Sequence, residues 1–189
     1  MKKGAQRLFI AINLPNDIKK KIAEEVEKIR YEFSGDIRFS NPEDWYITLV
    51  FLGDQSRELI ADIIDAAENT ANNFPAPTVH LESLTYGPLG RTPRMVWING
   101  SASVSKTLSE IKNSLEDNLA NAGVKFKQEF RGFKAHVTLA KFNAATRQDL
   151  PVIEKKIDWK FTAASVDLME SHLSKNEAPY EKLAGADFL

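Results

Sequence analysis

Two segments of the chain, 90 positions apart, carry the same alternating pattern and constrain the fold more than any other feature. One reads Tyr46-Ile47-Thr48-Leu49 and the other reads His136-Val137-Thr138-Leu139. Successive side chains of a β-strand point to opposite faces, so the first and third residues of each segment share one face. The pattern therefore predicts two strands that each place an ionisable or hydroxylic side chain and a threonine above an apolar face.

The rest of the chain predicts helices and strands that alternate irregularly. Helical periodicity indicates helices from Asn16 to the turn Ser34-Gly35-Asp36, from Arg57 to Phe74 and from Ser101 to Ala122. Strands are predicted at Arg7–Leu14, Ile37–Phe39, Val79–Tyr86, Met95–Ile98, Phe133–Phe142, near Lys160–Leu173 and at Tyr180–Leu183. Because helices do not follow every strand, we expect an α+β fold of antiparallel or mixed sheets with helices on their outer faces.

The length and the repeated motif predict the domain organisation. A chain of 189 residues can bury a substantial core as one compact domain or two small lobes. Each threonine strand follows a long helix and a turn, which indicates a duplicated unit. We expect one domain over residues 1–189, made of two intertwined, pseudo-symmetric lobes with a central cleft.

Composition excludes several classes of function. The chain has no cysteine, which excludes disulfides and thiolate chemistry, and its three histidines make a multi-histidine metal site unexpected. With a net charge of −1, any attraction to nucleic acid must be local. No run approaches the roughly 20 apolar residues of a membrane helix. We expect a cytoplasmic monomer that needs no metal or cofactor.

The two motifs resemble those of the two-histidine phosphoesterases, in particular the LigT/ThpR branch of RNA 2',3'-cyclic phosphodiesterases. That family carries His-x-Thr/Ser twice, each followed by an apolar residue. The similar segments here are Arg7–Ile12, Thr48–Gly53, Pro93–Trp97, His136–Lys141, Glu170–Leu173 and Tyr180–Leu183. The chain departs from the family pattern at three positions: Tyr46 replaces the first histidine, Lys141 a usual arginine and Ala135 a common proline.

The resemblance implies hydrolysis of the 2',3'-cyclic phosphate at the end of an RNA or nucleotide to a 2'-phosphate, and 2'-5' joining of RNA ends belongs to the same expectation. It implies that His136 is the base towards water, with Tyr46 a weak acid or phosphate donor. Thr48, Thr138 and Lys141 would bind the phosphate, although Lys141 reaches it only if the strand ends or bulges. A phenol is a poor substitute for an imidazole, so the rate is expected to be about two or more orders of magnitude lower.

Several alternatives stay open from the sequence. Tyr46 is equally interpretable as a buried aromatic, and the chain as an RNA-end or 2'-phosphate binding module without turnover, or as an active protein with an isolated substitution. Phe9 would either stack on a base or pack in the core. Arg91 and Arg94 would either contact RNA or be solvated.

A basic stretch and two further histidines complete the predictions. The stretch is interleaved with phenylalanines, which indicates a groove for single-stranded RNA. It comprises Lys125, Phe126, Lys127, Phe130, Arg131, Phe133, Lys134 and Lys141. His80 and His172 are interpreted as structural or surface residues.

Overall fold

The computed structural model of the chain describes residues 5–33, 37–129, 132–143, 150–172 and 179–189. These residues form nine strands and three α-helices. In chain order they are β1 (Ala5–Asn13), α1 (Asn16–Arg30), β2 (Ile37–Phe39), β3 (Tyr46–Ser56), α2 (Ile60–Ala71), β4 (Thr78–Gly87), β5 (Met95–Gly100), α3 (Ala102–Asn121), β6 (His136–Phe142), β7 (Lys155–Thr162), β8 (Ser165–Ser171) and β9 (Tyr180–Asp187). The predicted end of the first helix at Ser34-Gly35-Asp36 lies outside the described residues.

The strands form two sheets, which we call the first and the second sheet. The first has the order β3-β1-β8-β9 and the second the order β2-β6-β5-β4-β7. Every strand pair among the described residues is antiparallel, which settles the choice between antiparallel and mixed sheets. Helix α2 contacts β8 and β9, and α3 contacts α2 and β3. The α+β prediction is confirmed.

One apolar core serves both sheets and all three helices. Ile47 and Leu49 of β3 lie in the same cluster as Val137 and Leu139 of β6, and all four are at most 3% exposed. Each such side chain contributes about 1.5–3 kcal/mol when it is fully buried. The predicted burial of Ile47 and Leu49 and of Val137 and Leu139 is therefore confirmed. Within the described residues, no helix is long and apolar enough to cross a membrane.

The two motif strands pair with their neighbours in the same register. Asn13 of β1 lies opposite Tyr46, and Asn99 of β5 lies opposite His136. The ladders then shift at equivalent places, because Leu49 of β3 and Leu139 of β6 have no partner residue. Such an extra residue is a β-bulge, which reverses the alternation of the side chains beyond it.

Burial follows the same repeat. From Tyr46 to Leu52 and from His136 to Phe142, the order of half-buried, buried and exposed residues is identical position by position. This agreement supports the proposal that the two halves of the fold descend from one duplicated unit.

Two predicted boundaries were wrong. The strand predicted from Phe133 begins at His136, because the backbone of Ala135 is already bonded to Gly100 and to the Ser105 hydroxyl. The β region predicted near Lys160–Leu173 begins earlier, at Lys155, and is divided into β7 and β8 by residues 163–164.

Candidate functional site

The imidazole of His136 is held by a backbone carbonyl and an indole. Its Nδ1 lies 2.7 Å from the carbonyl oxygen of Lys134. A carbonyl only accepts hydrogen bonds, so Nδ1 carries the proton and the neutral ring has its lone pair on Nε2. The Trp97 ring stacks on the imidazole with 3.9 Å between centroids and 28° between planes. The tautomer and the plane of His136 are therefore both defined.

A polar network supports this half of the site from the neighbouring strands. Asn99, opposite His136, is only 8% exposed. Its amide donates to the Thr85 hydroxyl at 2.8 Å and to the Ser83 hydroxyl at 3.3 Å, so the buried group is satisfied. Thr138 lies opposite Trp97 and is half-buried, on the same face as His136.

The bulge at Leu139 turns Lys141 to the face that carries His136. Ala140 and Phe142 on either side of it belong to the core, whereas Lys141 is exposed. Its partner across the ladder is Met95, whose sulfur accepts from the Trp97 indole N–H at 3.3 Å. The structural condition for Lys141 to serve as a phosphate ligand is thus met.

The phenol of Tyr46 lies in an aromatic cluster on the first sheet. Its ring centroid is 4.9 Å from that of Phe9 and 5.3 Å from that of Tyr180. Burial raises the pKa of Tyr46, and the hydrogen bond to Tyr180 and the neighbouring charges raise it further. Loss of hydration disfavours the phenolate, so burial keeps the Tyr46 phenol in its protonated form. Tyr46 cannot act as a base.

Phe9 lies under this cluster and is 3% exposed, so core packing is its role in this structure. The accessible ring is Phe51, which is 63% exposed and lies 6.1 Å from Phe9 between centroids. Phe51 reaches this face because of the bulge at Leu49, and it occupies in β3 the position that Lys141 occupies in β6. At this position the first sheet therefore presents an aromatic ring, and the second sheet presents a cationic side chain.

A buried carboxylate supports the strand that pairs with Tyr46. Asp167 of β8 is 1% exposed. It accepts hydrogen bonds from Asn13 at 2.7 Å and from Ser165 at 2.6 Å, and its Oδ1 lies 2.7 Å from the Lys182 ammonium. A buried charge is tolerated when it is paired and hydrogen-bonded in this way. Asn13 in the first sheet thus has the same bracing role as Asn99 in the second.

The structure brings the two halves together through β3 and β6, which contact each other. Tyr46 and Thr48 lie on the polar side of β3, and His136 and Thr138 on that of β6.

The two predicted arginines lie in the exposed loop 88–94. The carbonyl of Arg94 accepts from the backbone of Phe142 at 3.0 Å, which places Arg94 beside Lys141. Arg91 lies farther out, at a turn after Pro88.

The remaining predicted residues lie apart from this site. Phe126 and Phe133 pack against the core, so these two phenylalanines of the basic stretch do not form the predicted stacking surface. Phe130 and Arg131 lie outside the described residues. His80 Nε2 is 2.7 Å from Asp158, and His172 Nε2 is 3.3 Å from Glu181.

Sequence reasoning missed Tyr180, Trp97 and the two asparagines. One signal was available, because Ile12-Asn13 and Ile98-Asn99 repeat the same dipeptide at the ends of two apolar strands. Nothing local marks Tyr180 as a partner of Tyr46, since that contact joins distant strands.

Comparison with known proteins agrees with this architecture. The sequence pattern of the 2'-5' RNA ligase superfamily matches residues 18–175. The RNA 2',3'-cyclic phosphodiesterase of Methanocaldococcus jannaschii is 28% identical over 180 residues, which cover 93% of this chain and 96% of that protein. The enzyme of the same name from Archaeoglobus fulgidus is 28% identical over 151 residues, or 79% and 80% of the two chains.

Solved structures place the fold in the same group. E. coli LigT complexed with 3'-AMP matches with a TM-score of 0.71 and 25% identity, over 97% of this chain and 98% of LigT. A protein from Thermus thermophilus matches with a TM-score of 0.77 and 23% identity, over 96% and 97% of the two chains. The motif strands, the two sheets and the sequence match over most of the chain lead to one conclusion: this protein belongs to the 2'-5' RNA ligase (two-histidine phosphoesterase) superfamily and has a LigT-like fold.

Proposed function

We propose that the protein is a cyclic phosphodiesterase that opens the 2',3'-cyclic phosphate at an RNA end to a 2'-phosphate. The observation that carries this proposal is the His136 imidazole, held in one tautomer on the same face as Thr138 and Lys141. The relatives named RNA 2',3'-cyclic phosphodiesterase support the same chemistry.

The reaction needs one proton removed and one supplied. Nε2 of His136 takes a proton from water as the water oxygen bonds to phosphorus. The bond from phosphorus to O3' breaks, and O3' leaves as a hydroxyl after gaining a proton from the Tyr46 phenol, which solvent reprotonates, or from solvent water directly. The hydroxyls of Thr48 and Thr138 donate to the nonbridging oxygens, and the Lys141 ammonium offsets their charge. None of these steps requires a metal ion.

Tyr46 serves the second proton transfer poorly. Its pKa is raised by burial and by Tyr180, so the phenol gives up its proton less readily than a free one. Because a well-placed general acid is worth about 10²–10⁴ in rate, we propose that hydrolysis is slower here than in a two-histidine protein by a factor of that order. With a 5'-hydroxyl in place of water, the same site would join RNA ends in the 2'-5' sense.

The second candidate function is a binding module that holds RNA ends or 2'-phosphates without turnover. The packing of Tyr46 against Phe9 and Tyr180 favours it, because a buried phenol with a raised pKa is a poor acid while the phosphate-facing residues of β6 are unaffected. The monomeric state and the cytoplasmic location stay predictions of the sequence.

The test is incubation of the purified chain with 2',3'-cyclic AMP in EDTA, with the product identified as the 2'- or the 3'-phosphate. We expect the 2'-phosphate, and we expect turnover to be lost in His136→Ala and kept in the matched variant His80→Ala. Tight binding of 2'-AMP without hydrolysis would establish the binding module instead. Turnover by His136→Ala at the parent rate, or release of the 3'-phosphate, would contradict the catalytic assignment.

A further inference from the structure

Three neighbouring strands of the second sheet are free of acidic residues. Strands β2, β6 and β5 read IRF, HVTLAKF and MVWING, and none contains aspartate or glutamate. The chain as a whole has a net charge of −1, so these three strands carry more positive charge than the rest of the chain. Local concentrations of positive charge are the electrostatic signature of phosphate binding.

Arg38 lies on the same face as His136. It is the direct cross-strand partner of Lys141, and directly paired residues of an antiparallel ladder share a face. Ile37 and Phe39 on either side of it pack against the core, whereas Arg38 is exposed. The row Arg38, Lys141, Met95 therefore crosses three strands on the side that carries the imidazole.

Arg38 and Lys141 face each other across the ladder. Neither side chain forms an ion pair with a carboxylate of the described residues. Like charges directly opposite each other in a sheet are destabilising, so the pair costs folding free energy unless an anion binds there. A single cation would be enough to protect an edge strand such as β2 from unwanted pairing.

The spacing distinguishes one phosphate from two. Lys141 is three residues from Thr138, at most about 10 Å along a strand at about 3.3 Å per residue, and the bulge at Leu139 shortens this distance. Arg38 lies one strand farther out than Lys141. A cyclic phosphate that is held by His136 and Thr138 and reached by the long side chain of Lys141 therefore leaves Arg38 to a second phosphate.

We propose that Arg38 is a specificity residue: it binds the backbone phosphate on the 5' side of the terminal nucleotide, with Lys141 between this phosphate and the cyclic one. The preferred ligand is then the end of a single-stranded oligoribonucleotide and not a mononucleotide. The exposed ring of Phe51 offers a stacking surface for an unpaired base, which suits a single strand. This inference rests on the function proposed above for the same site.

The experiment measures binding, so that it does not depend on turnover. A fluorescein-labelled oligoribonucleotide ending in a 2'-phosphate is titrated by anisotropy at several salt concentrations, and 2'-AMP is titrated by calorimetry. The variants are Arg38→Ala, Arg38→Lys and the matched control Arg57→Ala, since Arg57 is exposed in the turn before α2. Loss of one charge-assisted contact should weaken oligonucleotide binding by about tenfold or more and leave 2'-AMP binding unchanged. In Arg38→Ala, the slope of log K against log salt concentration should become shallower by about 0.7, whereas Arg38→Lys should keep the slope of the parent because it retains the charge.

The inference is overturned if Arg38→Ala matches Arg57→Ala in affinity and salt slope. The inference is also overturned if polyglutamate displaces the labelled oligonucleotide as well as unlabelled RNA does, because the surface would then bind any polyanion. Absence of hydrolysis with the Arg38 effect intact would instead remove the proposed cyclic phosphodiesterase activity and leave the RNA-end contact standing.

Discussion

Exchanging Tyr46 for histidine gives the first sheet the imidazole that the second sheet already has. Tyr46 lies opposite Asn13 as His136 lies opposite Asn99, so the backbone already has the required register. The carbonyl that orients His136 belongs to the residue two positions earlier. Its counterpart in the first sheet is the carbonyl of Asp44, to which Nδ1 of the new imidazole would donate.

The expected gain follows from the missing proton transfer. A positioned general acid contributes about 10²–10⁴ in rate, or about 2.7–5.4 kcal/mol of barrier. The imidazole gives up the ring contacts of Tyr46 with Phe9 and Tyr180, each worth about 0.5–1.5 kcal/mol. Weaker packing holds the new ring less firmly. We therefore expect Tyr46→His to gain about 10²-fold in kcat, at the lower end of the range.

The assay is the steady-state hydrolysis of 2',3'-cyclic AMP as a function of pH. The parent should show a single rising limb from one base, because the Tyr46 phenol stays protonated. The variant should show a bell-shaped profile from two imidazoles. Adding His136→Ala should remove the gain, and Tyr46→Phe should stay within a few-fold of the parent. A folded Tyr46→His variant with an unchanged rate and no falling limb would refute the reasoning.

Three further outcomes can be checked. Thr138→Val should lower kcat by roughly 10²-fold, whereas Thr138→Ser should retain most of it, because the hydroxyl is the phosphate donor. Since the pKa of Tyr46 is raised in the folded state, the free energy of unfolding should fall by about 1.4 kcal/mol per pH unit above about pH 10. In urea titrations of Tyr46→Phe, the free energy of unfolding should fall less steeply with pH above about pH 10 than in the parent. The same dependence on pH in both proteins would contradict this prediction. Burial raises the pKa of Glu25, but the hydrogen bonds from Lys155 and Lys28 outweigh it and lower the pKa overall. That stability is present above about pH 4.5 and is lost as pH falls through the folded pKa, so Glu25→Gln should cost about 1 kcal/mol at pH 7 and little at pH 3.

Local periodicity was enough to predict the elements that carry the site. Strand alternation in the two motifs predicted that Ile47, Leu49, Val137 and Leu139 enter the core, and all four are buried there. Alternation also placed Phe51 on the face of Ile47 and Leu49, and this was wrong, because the bulge at Leu49 turns Phe51 to the exposed face. Helical spacing predicted all three helices to within a few residues. These features depend on a residue and its near neighbours, so a single sequence contains them.

Features that depend on a cross-strand partner could not be predicted. A bulge is a property of two strands, so the sequence of β6 did not reveal that Leu139 lacks a partner and that Lys141 therefore changes face. The same holds for Arg38, because its position opposite Lys141 depends on the pairing of β2 with β6. Tyr180 modifies the chemistry of Tyr46 from a strand at the far end of the chain.

The two halves of the site differ most in chemistry on the face that ligands reach. Core-facing positions of β3 and β6 are all apolar, because both strands pack into one shared core. On the opposite face Tyr46 and Phe51 stand where the second half has His136 and Lys141. Changing Phe51 or Lys141 costs little folding free energy because both are exposed, whereas changing Tyr46 gives up its ring contacts with Phe9 and Tyr180. Two strands with the same burial pattern can carry different side chains on their ligand-facing side, and we expect exchange of Tyr46 to decide between hydrolysis and binding in the function proposed above.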